Sequence, residues 1–288
     1  MMYRSLWKIF GKSVCSLNFF SKKGIQFFRT SGFRYRDYII SDFCKDEIEK
    51  AGFVQIDFPS EDQTVQSWSL RISVDELRNR ITGEEKEYPS GILVLPVRTD
   101  EFRFVTSVTS DRYSRQASAS IGTPVAIFSY SNQISSLYMK TGMISSCIKV
   151  NGEEFILVES SFEQGNSGSP LVNATNGKVL GVMSDCFLSP YKKHKQIKMI
   201  IEKNIRILKN ATGKCQHGDI DPVQVLTANQ YMIKHLARDI YLSSQRNYGV
   251  AVPIQKVSRY IRNLEHRNQI TISHKTGINQ KSQRIAGC

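Results

Sequence analysis

The feature that most constrains this chain is a serine enclosed by glycines at residues 165–172, which read Gly-Asn-Ser-Gly-Ser-Pro-Leu-Val. Glycines on both sides of Ser167 indicate a tight loop, and the proline and apolar residues after it predict entry into a buried strand. Residues 177–182, Gly-Lys-Val-Leu-Gly-Val, predict the hairpin partner of that strand. The chain is therefore expected to place a sharp serine loop at the start of a β-hairpin.

The same loop has the composition that a nucleophile needs. Gly165 lets the backbone turn so that its own N–H and that of Ser167 point into one small space, where an oxyanion would sit. Gly168 leaves room for a substrate chain beside the Ser167 hydroxyl. The alternative interpretation of a Gly-x-Ser-Gly run is a Gly/Ser-rich hairpin turn that carries no chemistry.

The whole run of residues 165–182 is more specific than its first four residues. It resembles the nucleophile segment of the trypsin-like serine peptidases, particularly their Deg/HtrA branch. The resemblance implies an all-β fold of two antiparallel six-stranded β-barrels, with Ser167 at the nucleophile position and Gly165 in the oxyanion hole. In such enzymes the residue about six before the serine lines the substrate side-chain pocket. That residue is the neutral Ser161, so a surviving pocket would not require a basic side chain.

Alternation of apolar and polar residues predicts strands at residues 53–59 and 68–72, and shorter β runs are predicted at 13–17, 30–33 and 38–41. The resemblance implies further strands at residues 90–95, 121–128, 138–145, 154–161 and 248–254. The resemblance covers residues 13–185 and resumes at 248–254. It implies a peptidase domain over 13–265, with a first barrel at about 13–100 and a second at about 115–255. Residues 1–12 are then a basic extension and residues 266–288 a polar tail.

The resemblance fails where the catalytic histidine and aspartate should stand. After the strand that ends at Ser41, the histidine position falls on Cys44, or on Phe43 if the register shifts by one residue. The aspartate position, at the start of the strand at 90–95, holds Ser90 or Gly91. The group that should orient and stabilise an imidazole is therefore missing together with the imidazole itself.

Neither candidate at the histidine position can act as a base for serine. Phenylalanine does not titrate, and a thiol would ionise into a competing nucleophile. The family order is His, Asp, Ser, yet all the histidines of this chain follow Ser167; they are His194, His217, His235, His266 and His274. His194 and His217 leave open a replacement base that reaches Ser167 from the later part of the chain.

About sixty residues, 187–246, stand where the family has little more than a hairpin. Residues 191–209 carry seven Lys or Arg and one Glu, with isoleucines near one helical face, and predict a basic amphipathic helix. Residues 222–241 predict a second helix. The basic helix could pack on the barrel with a solvated outer face, lie on an anionic membrane, dock on an acidic partner or contact phosphate backbones. A C-terminal helix is predicted from the spacing of Val257, Tyr260, Ile261 and Leu264.

Charge and cysteine content bear on partners and compartment. The net charge of +13 and a pI near 9.5 favour anionic partners. Six cysteines without a C-x-x-C pair or a preceding secretory segment predict reduced thiols in an intracellular compartment, the cytoplasm first. Residues 1–36 contain no Asp or Glu but many basic residues, so mitochondrial import is the alternative. No apolar run is long enough to cross a bilayer.

These patterns predict a serine peptidase homologue that has lost catalysis, a pseudopeptidase that binds a protein or peptide through its cleft or its insertion. One alternative is a divergent, active serine endopeptidase that uses Ser167. Another is a protein that binds an anionic membrane or nucleic acid through residues 191–209. No metal-ligand spacing or phosphate-binding loop is present in the sequence, so no cofactor is expected.

Overall fold

The structure is a computed structural model of the 288-residue chain. It describes residues 2–42, 45–60, 66–81, 91–97, 100–102, 105–108, 119–132, 134–150, 152–163, 165–184, 190–211, 221–243 and 248–266. The chain divides into two compact units, Met1–Asp185 with Tyr248–Cys288, and Cys186–Asn247. The first unit contains all the named strands, and the second contains two long helices.

The first six strands form one antiparallel sheet. Their bounds are β1 (Val14–Phe20), β2 (Gln26–Tyr35), β3 (Tyr38–Asp42), β4 (Phe53–Pro59), β5 (Gln66–Ser73) and β6 (Ile92–Pro96). Their order in the sheet is β5-β4-β1-β2-β3-β6. Among the described residues no ladder joins the two edge strands, β5 and β6, so this sheet is not closed into a barrel.

A single apolar core shows that this sheet is nevertheless strongly curled. Alternate residues of each strand point to the same face. The strand residues buried in this core are Cys15, Leu17 and Phe19 of β1, Ile39 of β3, Val54, Ile56 and Phe58 of β4, Ile72 of β5, and Leu93 and Leu95 of β6. Because residues of both edge strands meet in one cluster, the sheet wraps around its own side chains.

The other six strands form a closed antiparallel barrel. They are β7 (Pro124–Ser129), β8 (Tyr138–Val150), β9 (Glu153–Glu159), β10 (Pro170–Asn173), β11 (Val179–Ser184) and β12 (Tyr248–Pro253). The barrel order is β10-β11-β12-β9-β8-β7, and it closes where Leu171 of β10 pairs with Ile127 of β7. β10 and β11 are the hairpin expected after the serine loop, with Pro170 opposite Val182.

Six helices complete the described structure. They are α1 (Met2–Phe10), α2 (Lys45–Lys50), α3 (Val74–Arg80), α4 (Pro190–Ala211), α5 (Pro222–Ser243) and α6 at residues 254–266. The Ser73 side chain caps α3 by accepting a hydrogen bond from the Glu76 N–H. In α6 all four residues that predicted the helix are buried, which confirms that prediction. No helix in the described ranges contains an apolar stretch long enough to span a bilayer.

The predicted all-β, trypsin-like double barrel is confirmed, with one difference. The second barrel is closed, whereas the first is a curled six-stranded sheet whose edge strands are not joined among the described residues. The sequence signals strand positions by alternation, but closure depends on a ladder between two strands distant in sequence, for which alternation gives no indication. Residues 267–288 lie outside the described residues, so the predicted polar tail remains a prediction.

The N-terminal residues are ordered in a way that their basic composition did not indicate. Leu6 and Phe10 of α1 are buried. The Phe10 ring stacks on Phe128 of β7 at 5.3 Å between centroids, and the Trp7 ring lies 6.1 Å from the same phenylalanine. Since α1 leads directly into β1, it links the first sheet to the closed barrel.

We predict that Phe10→Ala lowers the free energy of unfolding by about 3–5 kcal/mol, because it removes a fully buried aromatic side chain and leaves a cavity against Phe128. Lys8→Ala, at an exposed position of the same helix, is the matched control and should change stability by less than about 0.5 kcal/mol. Urea unfolding followed by tryptophan fluorescence measures both. Equal stability of the two variants would show that α1 does not contribute to the folded core.

Candidate active site

The serine loop turns through two glycines in the left-handed region of backbone space. Gly165 has φ +104° and Gly168 has φ +81°. Residues with a Cβ rarely adopt such angles, so both positions favour glycine. Between them, Ser167 is only 5% exposed. The loop thus holds the serine in a fixed place at the entry to the β10–β11 hairpin.

The backbone amides beside this serine have no partner within the described part of the chain. Neither the Gly165 N–H nor the Ser167 N–H donates a hydrogen bond there. Both carbonyls, in contrast, accept hydrogen bonds from the first sheet. Two unengaged amides on one loop are what an oxyanion site requires, and the assignment of Gly165 to such a site remains a prediction.

Strand β2 of the first sheet holds the serine loop from the other side. The backbone N–H of Ser31 donates to the Ser167 carbonyl at 2.8 Å, and the Thr30 hydroxyl donates to the same oxygen at 2.7 Å. The Ser31 hydroxyl donates to the Gly165 carbonyl at 2.7 Å and accepts from the Tyr130 N–H at 2.9 Å. All five residues are buried, so water does not compete for these bonds.

Gly168 lies directly against β2 and β3. A Cβ at this position would overlap the Ser31 carbonyl oxygen and would lie 2.6 Å from the Ser41 hydroxyl and 2.8 Å from the Asp42 nitrogen. The Ser41 hydroxyl itself donates to the Ser31 carbonyl at 2.6 Å. Glycine is therefore needed here to let the two halves of the molecule approach, independently of any substrate.

A second link between the halves is a hydrogen bond from the Ser184 hydroxyl, at the end of β11, to the Asp42 carboxylate at the end of β3 (3.0 Å). Both residues are buried. Asp42 stands two positions before Cys44, so the strand that leads to the predicted histidine position is anchored on the second barrel.

Beneath the loop, Lys140 of β8 makes three contacts with it. Its ammonium donates to the Glu163 carboxylate at 2.8 Å, to the Asn166 side-chain oxygen at 3.2 Å and to the Ser161 carbonyl at 3.2 Å. An ammonium has three donors, so Lys140 is saturated by these acceptors. Its charge serves to fix the loop and leaves no donor for a ligand.

Asn166, next to the serine, connects the loop to the closed barrel. Its amide nitrogen donates to the Tyr130 carbonyl at 3.2 Å and to the Tyr138 hydroxyl oxygen at 2.5 Å, while its oxygen also accepts from the Glu163 N–H. Burial is the main cause that raises the pKa of Tyr138, so its hydroxyl stays neutral in this network.

The described residues include only part of the predicted site. Ser167 and Gly165 lie together in the loop, and Gly91 precedes β6 with φ +81°. The other predicted triad positions, Cys44, Phe43 and Ser90, lie outside the described residues. Ser161 is exposed and its carbonyl is held by Lys140. Its role in a substrate pocket remains a prediction.

Within the described part of the first unit, no side chain forms a hydrogen bond with the Ser167 hydroxyl. His217 and His274 lie outside it. No three His, Cys, Asp or Glu side chains gather there in a group that could hold a metal ion.

Sequence reasoning missed the residues that position the loop. Thr30 and Ser31 belong to a predicted strand, and Lys140 is a charged residue in another predicted strand. Polar residues within apolar strands were the available signal, because buried polar groups need partners. Their partners lie 21 to 137 residues away in sequence, so the signal could not identify them.

Comparison with known proteins gives one family match. Residues 53–182 match the family model described as a trypsin-like peptidase domain. The serine endoprotease from Yersinia pestis superposes with a TM-score of 0.48 at 17% identity, over 63% of this chain and 57% of that protein. The active form of a protease from M. tuberculosis superposes with a TM-score of 0.46 at 14% identity, over 64% of this chain and 74% of that one. The chain thus spans less than two thirds of the Yersinia protein. No curated protein matches it in sequence.

We predict that Gly168→Ala destabilises the protein more than Gly24→Ala does. The two glycines have nearly the same φ, +81° and +79°, so both substitutions should cost about 1–2 kcal/mol in backbone strain. A Cβ at Gly24 meets nothing within 4 Å, whereas one at Gly168 meets the backbone of β2. Overpacking there should add about 1–3 kcal/mol. Urea unfolding of the two variants gives the difference, and equal losses would contradict the close approach of β2 to the serine loop.

Proposed function

We propose, from the premise that this chain contains a trypsin-like peptidase domain, that it is a serine peptidase homologue without turnover that acts by binding a protein or peptide. The observation that carries the proposal is Ser167 itself. It sits in a glycine-bounded loop of the kind that holds a nucleophile, but no histidine precedes it in the sequence and no described side chain of the first unit accepts its proton.

The chemical argument concerns the serine proton. A serine hydroxyl is a weak nucleophile until an adjacent base removes its proton. Loss of the histidine from a Ser/His pair lowers turnover by on the order of 10⁶, leaving the contributions of the oxyanion hole and of substrate binding. With cysteine or phenylalanine at the histidine position and serine or glycine at the aspartate position, Ser167 has neither a base nor a group to orient one.

Binding does not require that base. The Gly165 and Ser167 N–H groups, which have no partner among the described residues, can donate to a peptide carbonyl, and the exposed Ser161 stands at the position where the family's side-chain pocket lies. The Lys140 and Thr30 contacts attach this loop to β8 and β2, which limits the entropy lost on binding. We therefore place a peptide ligand along the serine loop.

The second candidate function is a divergent, active serine endopeptidase. It is supported by the Gly165 and Ser167 amides, which have no partner in the described part of the chain, and it would take its base from the later part of the chain, with His194 or His217 as candidates. We also propose that the protein is intracellular, which is supported by the absence of C-x-x-C spacing among its six cysteines.

A fluorophosphonate probe separates the two functions, because it labels only a serine that a base activates. We expect no labelling of the folded chain at Ser167, even at long incubation. An active trypsin-like peptidase treated in parallel is the positive control, and a thermal unfolding curve establishes that the unlabelled protein is folded. Labelling that disappears in Ser167→Ala would rule out the inactive assignment.

Peptide binding is tested by selecting a displayed random-peptide library on the Ser167→Ala protein. Selected peptides should lose at least about tenfold in affinity for Ser161→Arg, because a large charged side chain then fills the pocket position. Thr175→Arg, at an exposed turn residue between β10 and β11, is the matched control and should bind as before. If Ser161→Arg binds the same peptides unchanged, the ligand does not lie along the serine loop.

A further inference from the structure

Helices α4 and α5 pack side by side in opposite directions. We call this helical pair the hairpin, as distinct from the β10–β11 hairpin. Asn204 donates a side-chain hydrogen bond to Gln230 at 3.5 Å, and Lys234 pairs with Glu202 at 3.0 Å. Of these two contacts, the one nearer the end of α4 involves the residue nearer the start of α5. The two helices are therefore antiparallel. The hairpin is an independent compact unit of the chain.

The seam between the two helices is narrow and partly polar. Ile201 and Ile205 of α4 and Val223 of α5 are buried. Further along α5, Thr227 and Gln230 are half-buried. Because the polar side of α5 faces α4, most of the large apolar side chains of α5 are left on the outside of the pair.

Those outer side chains form one continuous surface, which we call the apolar face. It consists of Ile200 and Ile207 of α4 and Leu226, Ile233 and Ile240 of α5, which are between 46% and 60% exposed. The seven-residue spacing within each helix aligns its members along one side of that helix.

The hydrogen bond between Asn204 and Gln230 establishes that the two rows share one side of the hairpin. Ile200 lies four residues before Asn204 and Ile207 lies three residues after it, so all three share one side of α4. That side differs from the one on which Ile201 is buried. Leu226 and Ile233 stand in the same relation to Gln230. The ion pair between Lys234 and Glu202 lies on the opposite side.

More apolar surface borders this face. The neighbouring exposed side chains are Ile197, Met199, Val225, Met232 and Leu236. A single exposed isoleucine needs no explanation, but a contiguous patch two helices wide marks a surface that binds something. Its flat, two-row form suits a planar partner as well as another helix.

The charge around the apolar face indicates which partner. The hairpin unit contains eleven Lys or Arg and four Asp or Glu. Lys203 lies between Ile200 and Ile207 on the surface of α4, three residues after the first and four before the second, and it is exposed. Long basic side chains can leave their alkyl stems among apolar groups and extend their charge outward.

We propose that the apolar face of the hairpin lies on an anionic phospholipid surface, with its isoleucines at the boundary between headgroups and acyl chains and Lys203 on the lipid phosphates. Such a surface binds the exposed apolar row and the basic side chains in one event. A nucleic acid would engage the basic side chains and leave the isoleucines in water. A second copy of the chain would bring two strongly basic hairpins together. This inference goes beyond the peptide binding proposed above and does not depend on it.

The test measures binding of the full chain to vesicles by co-sedimentation. Vesicles of phosphatidylcholine with about one third phosphatidylserine should bind the protein at least about tenfold more tightly than vesicles of phosphatidylcholine alone. The triple variant Ile200→Ser, Ile207→Ser and Ile233→Ser should lose at least about tenfold in affinity for the anionic vesicles, since it removes three apolar groups from the membrane contact. All three positions are exposed, so the variant should unfold at the same temperature as the natural chain.

Matched controls come from exposed residues outside the hairpin. The triple variant Ile25→Ser, Ile121→Ser and Ile134→Ser changes three isoleucines that are 45% to 70% exposed and should bind as before. Lys203→Glu should weaken vesicle binding and make it less sensitive to added salt, whereas Lys23→Glu, also exposed, should have a smaller effect on both.

Three results would overturn the proposal. The first is equal loss of vesicle binding in the hairpin and control triple variants. The second is binding to single-stranded RNA that depends on Lys203 but not on the isoleucines, together with absence of vesicle binding, which would assign the surface to nucleic acid. The third is a dimer, detected by analytical ultracentrifugation, that the hairpin triple variant dissociates while no vesicle binding is found.

Discussion

The close approach of strand β2 to the serine loop is the contact on which the rest of the first unit depends. Thr30 and Ser31 donate to the Ser167 carbonyl, and Gly168 provides the space that lets them do so. These bonds are buried and are made between the curled first sheet and the closed barrel. They fix the serine and the relative position of the two sheets at once, because the same backbone atoms serve both.

This contact also changes how the glycines of the loop are understood. Taken as sequence, Gly165 and Gly168 are typical of a nucleophile loop. In the structure, a Cβ at Gly165 would lie 2.8 Å from the Ser131 Cα, and one at Gly168 would overlap β2. Packing therefore requires both glycines whether or not Ser167 reacts. An intact loop is consequently compatible with a chain that has lost its catalytic base, and it does not by itself argue for catalysis.

Basic side chains have different surroundings in the two units. In the first unit, Lys140 is mostly buried, and all three N–H groups of its ammonium donate hydrogen bonds to the serine loop. In the hairpin, Lys203 and Arg206 stay exposed beside isoleucines that are also exposed. Within a barrel the surrounding carbonyls and carboxylates can saturate a cation, whereas a two-helix unit has too little interior to enclose its apolar side chains. The hairpin therefore presents both kinds of group outward.

Local patterns in the sequence determined the strands at 53–59 and 68–72, the serine hairpin, the helices α4 to α6 and the absence of a histidine before Ser167, because alternation, helical spacing and residue identity are local properties. Most of the later strands were predicted from the family resemblance of their motifs. The sequence by itself did not determine that the edge strands of the first sheet are not joined among the described residues, that α1 packs on Phe128, or that Lys140, Thr30 and Ser31 hold the loop. Nor did it determine that the apolar rows of α4 and α5 share one side. Those features depend on which distant residues meet, and the free energy of such contacts exists only once the whole chain has brought them together.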